Sequence, residues 1–111
     1  MLEESVNSII SQLKRKCRVD TFARYDDARL REDIVPDAAA SLAGDLGMTT
    51  EEAATFDWSE PSRERTLLVN LCFYEFNDAA EQFGTDFADE LAKCRDARLA
   101  AQHAAEAADE N

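Results

Sequence analysis

Apolar residues return every three or four positions along most of this chain, the spacing of one face of an α-helix. Leu2, Val6, Ile9, Ile10, Leu13 and Cys17 lay such a stripe along a predicted helix over residues 2–17. Its acids, Glu3 and Glu4, come first and its bases, Lys14, Arg15, Lys16 and Arg18, come last, which is the order that a helix dipole favours. Val19, Phe22 and Tyr25 punctuate a polar linker and are expected to clip onto the remaining helices. Asp26 or Asp27 is the expected N-cap of a second helix, with core positions Leu30, Ile34, Ala38, Leu42 and Leu46, closed by Gly47. Pro36 falls inside it and removes a backbone donor, so a kink or restart is expected there.

Residues 48–61 read as a loop. Thr49-Thr50-Glu51-Glu52 has the form of a capping box opening a single helical turn, and Phe56 and Trp58 then alternate with acids ahead of Pro61. These two rings either fold back onto the core or present a sticky arm to a partner. Ser62 is the expected cap of a third helix, central to the fold and running to about Phe83, with the greasiest stretch of the chain at 67–76. Gly84 marks a break before a fourth helical run carrying Phe87, Leu91, Cys94, Arg98 and Ala101 on one side. Beyond Leu99 the chain favours helix but has no large apolar residue, so it buries nothing alone and is either frayed or held by another chain.

At 111 residues there is room for one domain. The expected fold is all-α: a bundle of about four helices over residues 1–99 with one long acidic loop, then a tail, 100–111, that extends the last helix or stays unfolded until bound. Scarcity of breakers agrees, with 3 Gly and 2 Pro beside 19 Ala. Charge narrows the function: 24 Asp and Glu against 12 Lys and Arg give a net of −12, which argues against a basic nucleic-acid binder and against an anionic membrane surface. Residues 25–62 alone hold ten acids and two bases.

Chemistry finds little to work with. Cys17, Cys72 and Cys94 are far apart and read as buried free thiols of a reducing compartment, and with one His103 they offer no zinc ligand set. His103 is also the sole neutral-pH base, in an alanine-rich segment, so a nucleophile–base pair has no support. Gly44, Gly47 and Gly84 form no phosphate-cradling loop. The stretch 67–76 falls short of the ~20 residues that a membrane span needs, and Met1-Leu2-Glu3-Glu4 lacks the basic start of a secretory leader. No catalytic residue, metal or cofactor is expected, and no enzyme activity.

One resemblance emerges. Leu13-Lys14-Arg15-Lys16-Cys17-Arg18-Val19, an L-K-x-x-x-R-V element ending a basic helix, is followed by Asp26-Asp27-Ala28-Arg29-Leu30, which opens a helix ending at Leu46-Gly47. Arg63-Glu64-Arg65-Thr66-Leu67-Leu68-Val69-Asn70 then leads into Phe73-Tyr74-Glu75-Phe76-Asn77-Asp78-Ala79, Phe83 and Phe87-Ala88-Asp89-Glu90-Leu91. Over residues 6 to 98 this order resembles the head-to-tail connector (adaptor) proteins of long-tailed viruses, although Pro36 and the loop 48–61 depart from the pattern. The resemblance implies a helical protein made in the host cytoplasm and built into the virion, about a dozen copies forming a ring under the portal protein. Such a ring continues the DNA channel and docks the tail or its completion protein.

A ring of so acidic a chain repels phosphates and lets DNA pass without tight binding, with Asp26, Asp27, Glu32, Asp33 and Asp37 as candidate channel-facing acids. Candidate partner-binding residues are Phe56 and Trp58 in the loop and Leu99, Gln102, His103 and Glu106 in the tail. With 3 Lys beside 9 Arg, the acidity also fits a protein of molar salt, where the Debye length is about 3 Å, hence a salt-loving host. The alternative is an acidic DNA mimic that blocks a host defence nuclease; a small helical regulator with a tail that folds on binding comes third.

Overall fold

The structure, a computed structural model, describes residues 3–18 and 24–109 and is all-α, with no strand among them. Helix α1 (Glu3–Cys17) is followed by α2 (Arg24–Ala28), a π-helical segment (Arg29–Ile34) and α3 (Val35–Asp45). Then come α4 (Thr50–Thr55), α5 (Arg63–Phe76), α6 (Ala80–Asp86) and α7 (Ala88–Asp109). The clip expected from Val19, Phe22 and Tyr25 rests on side chains outside those described.

Helix α1 buries Ile9, Ile10 and Leu13 of its expected stripe, with Ile9 and Leu13 fully enclosed; Val6 and Cys17 are half-buried, and Leu2 lies outside the described residues. Helix α2 starts at Arg24, ahead of Asp26 and Asp27, so those acids lie in its first turn and are not the N-cap. There they still face the positive end of the dipole. All five core positions of the second apolar stripe are buried: Leu30, Ile34, Ala38, Leu42 and Leu46. A strict spacing of four drifts by about 40° per step on an α-helix of 3.6 residues per turn. The π segment takes up part of that drift, since its wider turn carries the Val35 N–H back to the Leu30 carbonyl. Pro36 explains its position. Lacking an N–H, it cannot serve the carbonyl four residues back, and it sits in the first turn of α3, where no donor is needed.

Two helices end in the same motif. At Gly47, with φ of 73°, the Gly47 and Met48 amides donate to Gly44 and Ala43 at 3.1 and 2.9 Å. At Asp78, with φ of 56°, the Asp78 and Ala79 amides donate to Glu75 and Tyr74 at 3.1 and 2.8 Å. Asp tolerates the left-handed conformation, so α5 stops at Phe76, well short of the expected Phe83. Gly84 does not break the chain: it lies inside α6, and only Phe87 separates α6 from α7.

Helix α5 packs against α1, the π segment, α3, α6 and α7, and buries Leu67, Leu68, Val69, Leu71 and Cys72. The molecule measures 55 × 29 × 20 Å. Its long dimension follows from α7, whose 22 residues at ~1.5 Å per residue reach ~33 Å.

Candidate functional site

The segment expected to be an acidic loop is organised by a cap and a latch. Thr49 Oγ1 accepts from the Glu52 amide at 3.1 Å and Glu52 reaches back to the Thr49 amide, the reciprocal capping box that starts α4. After α4 the chain turns inward. Trp58 is 1% exposed, with the Phe56 ring edge-on at 4.6 Å between centroids. Trp58 is therefore core and forms no exposed arm for a partner, which corrects that expectation for it, while Phe56 is half-buried against it.

Two polar residues that the pattern did not single out hold this turn. Ser5, fully buried on α1, accepts from the Trp58 amide at 3.1 Å and donates to Asp57 at 3.4 Å. Arg65, in the first turn of α5, donates to the Trp58 carbonyl at 2.8 Å, to Ser8 Oγ at 3.0 Å and to Gln12 Oε1 at 2.9 Å. It thereby ties the turn, α1 and α5 together. Asp57 accepts from the hydroxyl and amide of Ser59, which holds its carboxyl below the usual range.

The five acids assigned to a channel separate by environment. Asp27 is paired with Lys14 and, at 3.5 Å, with Arg31; the lysine hydrogen bond comes first among the causes that lower its pKa. That carboxylate is committed to holding α1 on α2. Asp26 is half-buried, whereas Glu32, Asp33 and Asp37 are exposed. Asp37 faces α5 across a cleft of about 670 Å³ shared with Glu75, Asp78 and Glu81. Burial and the neighbouring Asp37 raise the pKa of Glu75. No group of three or more His, Cys, Asp or Glu is placed to hold a metal ion among the described residues. Burial pushes the Cys94 thiol up to about 11 and raises Cys72 further, so both are inert thiols.

The tail residues behave differently from the loop. Arg98 pins α7 where it leaves the body: its guanidinium meets Glu52 at 2.9 Å and Glu64 at 3.6 Å and lies 5.8 Å from the Phe56 ring centre. The next residue, Leu99, is 43% exposed, the only large apolar side chain of the described residues so placed. Leu99 and Gln102 overhang a notch of about 280 Å³ floored by Leu46 and Gly47. His103 and Glu106 are exposed, as are the alanines around them. The structure thus brings Leu99 and Gln102 together with the end of α3, leaves His103 and Glu106 on the exposed part of α7, and buries Trp58 with Phe56 half-buried beside it. No helix is long and apolar enough to cross a membrane among the described residues. No family model, curated protein or solved structure matches the chain.

Proposed function

We propose that this chain is an assembly module without catalytic turnover: a head-to-tail connector whose copies form a ring beneath a viral portal protein and offer a seat to the tail or its completion protein. One observation carries the reading. A well-packed helical body ends in a helix whose residues 99–108 are all exposed, and an alanine-rich helix of that length gains little by standing alone in water. Such an element gains stability when another protein covers it. Glu32, Asp33 and Asp37, exposed along the π segment and the start of α3, supply a surface that DNA phosphates avoid, as a passage for DNA requires. Virion location and a salt-loving host belong to this proposal and rest on the resemblance and on the 24 acids.

Affinity capture of the tagged full chain from the cells or particles that make it, with the retained proteins identified by mass spectrometry, tests the reading. Portal or tail-completion protein is the expected partner. Retention of a nuclease with neither of them overturns the connector reading in favour of a DNA mimic.

A further inference from the structure

Beside the contact between α5 and α7 lies a groove of about 410 Å³, within the usual ~300–1,000 Å³ of small-ligand sites. Leu67 and Phe87 form its floor, and its rim includes Arg63, Thr66, Glu90 and Lys93. The Phe87 ring stacks on Phe83 at 4.8 Å between centroids and meets Tyr74 edge-on at 5.8 Å, and neither of these lines the groove. The apolar floor is therefore braced by the body and exists before anything binds, which spares a ligand the cost of ordering it. Charge sets the rim apart from the rest of the chain. Arg63 and Lys93 are exposed, and neither makes an ion pair among the described residues. Glu64, next to Arg63 in sequence, is drawn away to Arg98 at 3.6 Å. Glu90 is left as the one acid on a rim of two cations, in a protein of net charge −12.

We propose that this groove binds a small amphipathic anion, an apolar chain bearing a carboxylate or phosphate head, with the chain against Leu67 and Phe87 and the head between Arg63 and Lys93. Two features select that class. An apolar floor open to water gains by being covered, and two unpartnered cations at its edge gain from a negative head. Nucleic acid suits the cations but not the floor, and the acids of the remaining surface repel its phosphates. A cationic amphiphile suits the floor but meets Arg63 and Lys93. At ~0.15 M salt the Debye length is ~8 Å, so acids elsewhere on the body are screened while a contact at the rim survives. The site is independent of the connector reading: it asks nothing of the exposed end of α7 and needs no other protein.

Titration of the isotope-labelled full chain with hexanoate, hexyl phosphate, hexanol and hexylammonium at ~0.15 M salt reads binding through backbone amide shifts. Hexanoate or hexyl phosphate is expected to saturate with a Kd below ~10 mM, the tighter of the two naming the head group, and to shift amides within 62–67 and 87–93. Hexanol and hexylammonium are expected to bind at least about three-fold more weakly than that anion. Arg63→Gln and Lys93→Gln are each expected to weaken the anion about three-fold, and Glu90→Gln to tighten it about two-fold, a gain that a merely structural role would not produce. Circular dichroism verifies the fold of each variant, and Arg15→Gln, which removes an exposed cation from α1, is expected to leave the Kd unchanged. The proposal is overturned if neither anion saturates below ~10 mM, if hexanol or hexylammonium comes within about three-fold of the anion, if the shifted amides lie elsewhere, or if the Kd ignores Arg63→Gln and Lys93→Gln. Shifts of the same amides with protein concentration alone give the groove to a second copy and overturn it as well. The portal-capture test stands under each of these results.

Discussion

The turn at 56–61 and the end of α7 both offered themselves in the sequence as arms for a partner, and folding treats them oppositely. The turn carries two aromatic rings. Burying one Trp removes about 150–250 Å² from water, of order 4–6 kcal/mol at ~25 cal/mol/Å² as an upper estimate. That outweighs the ~1–3 kcal/mol cost of leaving a buried donor unpaired, and Trp58 Nε1–H has no hydrogen-bond partner among the described residues. The turn is pulled inward and Arg65 and Ser5 lock it. The α7 end beyond Leu99 offers mostly methyl groups, whose burial against its own body would not offset bending the helix, so it stays straight and exposed. An arm remains an arm when it has too little to bury.

The sharpest way to break this contrast is to make the turn resemble the tail. Trp58→Ala is expected to cost about 3–5 kcal/mol in urea unfolding, and a loss under ~1 kcal/mol would mean that the ring is dispensable to the core. Two leucines give a matched pair. Leu71→Ala, in a buried position on α5, is expected to lose about 2–5 kcal/mol, while Leu99→Ala loses under ~1 kcal/mol; similar values would erase the distinction between body and arm.

Acidity probes the body alone. Glu75 has a raised pKa in the folded state, so folding takes up a proton there and stability rises as pH falls from neutral towards the ordinary glutamate range of ~4.3. Glu75→Gln should remove that rise from the melting curve, and an unchanged pH profile would contradict it. Asp27, Asp57 and Asp86 have lowered pKa values, so their contribution is present above ~3.9 and is lost as pH falls below it; the two effects occupy different windows. The smallest effect concerns the arm. Deleting residues 100–111 is expected to leave unfolding free energy within ~0.5 kcal/mol of the full chain while abolishing attachment in the capture experiment, and a large drop in melting temperature would make the segment part of the core.

Much of the architecture was legible because it depends on local pattern. The stripe at Leu30, Ile34, Ala38, Leu42 and Leu46, the box at Thr49 and Glu52, the caps at Ser62 and Gly47 and the central place of α5 all follow from spacing and short-range hydrogen bonding. Asp78 is hard to read as a helix stop from sequence, because an aspartate signals the left-handed conformation less strongly than Gly84 signals a break. Gly84 itself has open space around its Cα, so nothing at that position compels a break.

The sequence by itself determined the helical class, the segments that bear a core face and the lopsided charge, since each is set by residue type and by neighbours within a turn or two. Tertiary structure alone decided which aromatic became core, which acid was neutralised, and how Arg65 joins residues 57 and 53 positions away at Ser8 and Gln12. It also set the exposed end of α7 apart from the earlier turns of that helix, where Leu91 and Cys94 pack with the core. Those outcomes depend on which faces meet in space, and the balance of burial against desolvation exists only once they have met.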